Sequence, residues 1–326
     1  MRYILRVFLS TFLFISCSIS YADTSKSQVG SFQELKNIVL EFNEPQATLV
    51  VMDDDDTLTM MRCLNDVEPS SCQYLGGPAW YDWQSDLVGS GSPYSVAETQ
   101  NELLKISTLL FAMNKMDYTE DDLWSILNSL SVSGVRLLVE TARGGSNLSA
   151  TEMQLDDLKV SGSSYSSFLD MIGSNSLFMG AMNSASLPSP FVPCDIPGTR
   201  EVSYQQGVMY VAGQNKGIML NCLLQYYESD DSGNSALPIK NIVFIDDTQK
   251  NVDDVYNAFK NSTRYQVKAL HYTALDSHKQ ALTKKGEVGK VLRNKTKERW
   301  DAIHYTLSKE LLSPATGKKE KGNTTP

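Results

Sequence analysis

Four consecutive aspartates, Asp53 to Asp56, directly follow an uncharged apolar run at 47–52, in the stretch V-V-M-D-D-D-D-T-L-T. Adjacent carboxylates repel one another, and a cluster of them calls for a cation in their midst. The apolar run reads as a strand buried on both faces. In an open α/β sheet, ligands bind just beyond the carboxyl ends of the strands. A strand that runs out into Asp-x-Asp-x-Thr therefore sets two same-side carboxylates, Asp53 and Asp55, at a candidate active site. Strand alternation puts Asp54 and Asp56 on the other side. The competing reading of this stretch alone is a solvated acidic loop.

Three later segments end in groups that suit such a site. The run G-V-R-L-L-V-E-T at 134–141 ends in Thr141, with Arg143 two residues on. The run I-K-N-I-V-F-I at 239–245 ends in Asp246-Asp247, and Asn215-Lys216-Gly217 puts a cation at the start of a helical stretch. Each is ordinary alone: an Asp-Asp pair after an apolar run is usually a turn, and a lysine at a helix start is usually solvated. Their order, each at the end of a core element, is the signal.

With these four blocks the chain resembles the haloacid dehalogenase-like superfamily of phosphatases. M-D-D-D-D-T-L-T is similar to its first motif, L-L-V-E-T-A-R to its second, N-K-G to its lysine motif and V-F-I-D-D-T-Q-K-N to its acidic fourth motif. The likeness covers about 32–272 in scattered blocks and is nearest to an exported bacterial branch. It implies a Rossmann-like parallel sheet flanked by helices, with inserted cap modules. It further implies Mg²⁺ held by Asp53, the backbone carbonyl of Asp55 and one fourth-motif acid, with Asp247 favoured and Asp246 as its support. Asp53 would be the nucleophile, Asp55 the acid and base, Thr141 a hydrogen-bond donor to the phosphoryl group, and Lys216 the offsetting charge. An acid at Asp55 favours phosphoryl transfer over carbon–halogen cleavage, because a leaving oxygen needs a proton. Arg143 would either reach a substrate anion or form a salt bridge. Trp80 and Trp83 would either stack on a ring-bearing substrate or form the small core of an insertion. The expected activity is Mg²⁺-dependent hydrolysis of a small phosphorylated substrate through a phosphoaspartyl intermediate. The alternative is a protein of the same fold that binds a partner, such as a host protein, without turnover. A calcium loop is ruled out, since Leu58 and Leu64 stand where glycine and glutamate are required.

Alternating strands and helices must carry these groups. Strand patterns at 47–52, 134–141, 207–212, 239–245 and 265–270 interleave with helical ones at 31–41, 97–113, 119–130, 150–158, 216–227 and 251–259. The first helix opens on a Ser31-x-x-Glu34 capping box. Such alternation predicts a parallel sheet with right-handed crossovers. A crossover needs only about a dozen residues, so the longer gaps predict insertions. The expected organisation is a core of 23–58 and 134–312, a cap at 59–133, and a variable insertion at 161–206. Residues 23–30 read as a polar leader, 281–312 as a charged helix and 313–326 as a disordered tail.

Composition limits the class. The 326 residues are 41% hydrophobic and 21% charged, ordinary values for a globular protein. A formal charge of −9 without a basic stripe argues against nucleic acid as a partner. Arg2 and Arg6, an apolar stretch at 7–19 and Ser20-Tyr21-Ala22 predict a signal peptide over 1–22, and hence export to a periplasm or beyond. Lipidation at Cys17 fits less well, with Phe14 at the wrong place. No membrane span is expected in the mature chain. Its four cysteines suit an oxidising compartment, and Cys63 with Cys72 is the first expected disulfide.

Overall fold

A computed structural model describes residues 23–63, 71–180, 182–229 and 238–311. The expected signal peptide at 1–22 and the tail at 313–326 lie outside the described residues. The chain runs through β1 (Ser25–Val29), α1 (Phe32–Glu41) and β2 (Thr48–Met52) before leaving the sheet. The excursion holds β3 (Thr59–Met61), α2 (Pro78–Leu87), α3 (Gln100–Met113) and β4 (Met116–Tyr118). α4 (Leu123–Val132) leads back to β5 (Arg136–Thr141), followed by α5 (Leu148–Asp156), α6 (Phe168–Asn175), β6 (Ser203–Gln205) and β7 (Val208–Tyr210). The remainder is α7 (Lys216–Ser229), β8 (Asn241–Asp246), α8 (Gln249–Phe259), β9 (Gln266–Tyr272), α9 (Asp276–Lys279) and α10 (Glu287–Thr306).

Among the described residues the central sheet has seven strands in the order β1-β9-β8-β2-β5-β7-β6, all pairs parallel except β6 with β7. The fold is therefore α/β, a Rossmann-like sheet with helices on both faces. Period-two alternation divides each central strand between two cores. Val50, Met52, Leu137, Val139, Val243 and Ile245 pack with α1, α4, α5 and α6 on one face. Leu49, Val51, Leu138, Ile242 and Phe244 pack with α7 and α8 on the other. Apolar residues on both faces explain why these strands read as continuous apolar runs. α1 is capped as its sequence predicts: the Ser31 hydroxyl accepts from the Glu34 amide at 3.2 Å, and the Glu34 carboxylate accepts from the Gly30 amide at 3.4 Å.

Three boundaries differ from the sequence expectation. The polar leader contains β1, which extends the sheet edge by pairing with β9; an edge strand needs few apolar residues, so polarity concealed it. The excursion closes at the antiparallel β3–β4 pair, and α4 packs its Leu123, Ile126, Leu127 and Leu130 into the main core, not into a cap. The C-terminal stretch is no part of the sheet's two cores. Ala281, Leu282, Leu292 and Trp300 join Cys72, Tyr74, Trp80, Trp83, Leu103 and Leu110 of the excursion in a third apolar cluster. The excursion and α10 thus form one module around that cluster. Disulfides join Cys63 to Cys72 within the module, as expected, and Cys194 to Cys222 across the second insertion and α7.

Candidate functional site

Three parallel strands deliver their last residues to one edge. β2 lies between β5 and β8, with Met52 opposite both Val139 and Ile245. Asp53, Thr141 and Asp246 consequently emerge side by side, and the Asp53 amide still donates to the Ile245 carbonyl at 3.0 Å. Past Asp53 the chain turns tightly: the Asp54 carbonyl accepts the amides of Thr57, Leu58 and Thr59 at 3.3, 2.9 and 2.9 Å. Asp56 takes a left-handed conformation, φ 56°, which aspartate tolerates better than most residues. The Thr57 hydroxyl ties two loops together, donating to Asp53 Oδ2 at 3.3 Å and accepting the Asp247 amide at 3.0 Å.

Lys216 is the first residue of α7, whose start is capped by Asn215 Oδ1 accepting the Ile218 amide at 2.9 Å. It is 1% exposed, and its ammonium donates to Asp53 Oδ1 and, at 2.7 Å, to Asp246 Oδ2. Burial opposes its charge, but Asp246 and Asp53 outweigh that and keep it protonated. Gly217 is required beside it: a Cβ there would lie 2.3 Å from the Asp254 carbonyl of α8. The Asp246 carboxylate is saturated, taking Asn251 Nδ2 at 3.0 Å on both oxygens and the Thr248 amide at 2.8 Å as well as Lys216. Asp247 is less engaged by its own loop, with only the Thr248 hydroxyl at 3.3 Å. Burial, then the neighbouring Asp246, pushes Asp247 up to about 6, and burial holds Asp53 well above the usual carboxylate range.

Arg143 lies on the other side of Asp55. Its guanidinium donates to the two Asp55 oxygens at 2.9 and 2.6 Å, to Thr151 at 2.9 Å and to Gln154 at 2.8 Å; it pairs with Asp54 at 3.2 Å and covers the Phe111 ring. A fork so engaged orients Asp55; of the two roles expected from sequence for Arg143, a substrate contact or a salt bridge, the structure shows the salt bridge. Trp80 and Trp83 take the second of their two expected places, the small core of the insertion. At i and i+3 on α2 both rings face the same way, and that way is inward, to the module's own cluster at 1% and 6% exposure. Asp54 and Asp56 do not point away into solvent but are buried as well, because alternation ends with β2 at Met52.

Thr141 is buried, its hydroxyl accepting the Arg143 amide at 3.2 Å. One residue earlier, Glu140 is fully buried with neither carboxylate oxygen hydrogen-bonded, and burial pushes it up to about 8. Sequence reading also missed Lys279. Its ammonium pairs with the Asp247 carboxylate and donates to the Asp247 carbonyl at 2.8 Å. The available signal was a cation seven residues beyond the last parallel strand, too generic to single out.

The donor set fits a hard divalent cation. One oxygen each from Asp53, Asp246 and Asp247 lie within 4.8 Å of one another. Among the described residues, the cations paired with the six aspartates at 53–56 and 246–247 are Arg143, Lys216 and Lys279, three for six. Both oxygens of buried Asp56 also lack a hydrogen-bond partner. Oxygen donors in negative excess are what Mg²⁺ or Ca²⁺ takes. The described cavities, of about 230 and 470 Å³, are lined by residues near Gly134 and Gly145 and do not touch Asp53. No described helix is long and apolar enough to cross a membrane.

Residues 28–313 match the family model described as "Protein of unknown function (DUF2608)". No curated protein matches the chain. Among solved structures, cytosolic 5'-nucleotidase IIIB (cN-IIIB) bound to cytidine is similar at 12% identity over 83% of this chain and 93% of that chain, with a TM-score of 0.24, too low to bear on chemistry.

Proposed function

The chain belongs to the DUF2608 family, and from the geometry of its sheet edge we propose that it is a divalent-cation-dependent phosphatase of haloacid dehalogenase type, acting on a small phosphomonoester. The observation that carries this reading is the meeting of Asp53, Asp246 and Asp247 within 4.8 Å, with Lys216 bridging two of them. Asp53, Asp247 and the Asp55 backbone carbonyl would hold Mg²⁺, with Asp246 holding Lys216 and the start of α8 in place. When bound, the ion would offset the charge shared by an anionic nucleophile and a phosphoryl group.

The protein's own groups divide the remaining work. Asp53 attacks the phosphorus in line and becomes a phosphoaspartate as the alcohol leaves. Asp55 gives that alcohol its proton, then takes one from the water that hydrolyses the phosphoaspartate. Arg143 fixes the orientation of the Asp55 carboxylate by donating to both of its oxygens. The Thr141 hydroxyl donates to a phosphoryl oxygen, and Lys216 stays charged throughout, beside both the nucleophile and the developing negative charge. Purified protein should hydrolyse a chromogenic phosphate ester with Mg²⁺, and Asp53→Asn should abolish turnover. Undiminished hydrolysis by that variant would end the mechanism.

A second reading, binding without turnover, draws on one observation: Asp53 is 5% exposed and adjoins neither described cavity. A screen of phosphate esters separates the two, since intact Mg²⁺ uptake with no hydrolysis of any ester would favour it. We place the protein outside the cytoplasm, a proposal supported by its two disulfides.

A further inference from the structure

Lys279 belongs to a part of the molecule distinct from the sheet edge it touches. It ends α9, and the next residues, Ala281 and Leu282, enter the apolar cluster of the excursion–α10 module. Its neighbour His278 is buried and stacks on Tyr74 of the excursion, ring centroids 4.7 Å apart. α9 is thus held to the module by His278 and to the sheet edge by Lys279. The ammonium sits on the Asp247 carboxylate and carbonyl, and it is the cation paired with that carboxylate in the structure. Asp247 is also the acid of the fourth motif least occupied by its own loop.

A carboxylate that already carries an ammonium binds a divalent ion less well, because the two cations repel and share one acceptor. We infer that Lys279 competes with the divalent cation for Asp247, so that ion binding releases α9 from the sheet edge. The inference rests on the metal reading above. It gives a closed site, with Asp53 almost wholly covered, a way to open: the ion takes over Asp247, and α9 loses its charged tether. By reciprocity, whatever docks α9 weakens the ion, and whatever binds the ion loosens α9.

Two measurements on the mature protein test this. The first is calorimetric titration with MgCl₂ of the wild type, Lys279→Met and Lys279→Arg. The second is amide hydrogen exchange of α9 and α10 with and without Mg²⁺. Lys279→Met should bind Mg²⁺ about tenfold more tightly, in the range usual for coupled sites, whereas Lys279→Arg should keep the wild-type affinity. Mg²⁺ should speed exchange in α9 of the wild type and leave that of Lys279→Met unchanged. Lys279→Gln removes the charge but keeps a donor for the Asp247 carbonyl, and replaces the Met variant should that one fail to fold. Unchanged or weaker Mg²⁺ binding on loss of the charge overturns the inference while leaving the metal reading intact. Absence of Mg²⁺ uptake by the wild type and all variants overturns both.

Discussion

The buried charges at the end of β2 make sense only as a set. Lys216 pairs with both Asp53 and Asp246 in a place almost wholly removed from water. Removing one partner of such a set leaves the others charged and unsolvated, at a cost of about 3–5 kcal/mol. Lys216→Met should lower unfolding stability by about that much and also abolish turnover, whereas Asp53→Asn should be far milder in stability. Denaturant curves for the two variants check it; equal, small losses would mean that the lysine is better solvated than its burial indicates. Glu140 carries a different signature. Burial raises it from 4.5 to about 8 in the folded protein, so between those values the unfolded chain releases a proton that the native one keeps. Stability contributed by this group is complete below pH 4.5, falls as pH rises, and is fully lost above 8. Glu140→Gln should remove that slope and exceed the wild type above pH 8 by on the order of 5 kcal/mol; parallel stability–pH curves for the two would refute it. The placement of Asp53, Thr141, Lys216 and the Asp246–Asp247 pair at the ends of core elements was legible from sequence, because an apolar run announces each element. Lys279 and the Asp54–Arg143 contact were not. They depend on where loops fold back, and alternation gives no guidance past the last strand residue.

At the scale of elements, α7 matters most, since its first residue is the buried lysine. Its approach to α8 is set by Gly217, with room for a hydrogen and no more. Gly217→Ala should therefore push the helices apart, cost about 1–3 kcal/mol through overpacking, and draw the Lys216 ammonium away from Asp53. Thermal unfolding together with kcat measures both effects; a stable variant with unchanged kcat would show that the helix start yields without moving the lysine. β2, β5, β7 and β8 were legible because both faces are buried around apolar runs, and β9 because Val267, Ala269 and Leu270 stand out between half-buried polar residues. β1, β3 and β4 were not, being short or edge strands whose side chains are partly solvated. α2 was hidden for another reason: Pro78 and its aromatics resemble a loop until Trp80 and Trp83 find an interior to fill.

The whole molecule is a sheet with two cores and a third cluster built from segments far apart in sequence. Leu292 and Trp300 close that cluster from α10. Deleting the chain after residue 286 should uncover it and lose about 1.5–3 kcal/mol for each large side chain no longer packed. The excursion should then bind a hydrophobic dye and become protease-sensitive while the sheet persists; a truncated protein with an unaltered dye and cleavage profile would mean that the excursion holds its own core. Length and composition foretold a globular α/β chain, but the joining of 71–110 to 281–300 was beyond pattern reading, as apolar spacing shows which face is buried and never against what.

One pairing sets the order in which this architecture can be completed. β1 lies near the start of the chain and β9 some 240 residues later, yet they are neighbours in register from Ser25 with Lys268 to Val29 with Tyr272. A nascent chain therefore emerges with a leading strand that has no berth until almost everything behind it has followed. Wiring of this kind leaves the β1 edge of the sheet open until Gln266–Tyr272 is in place.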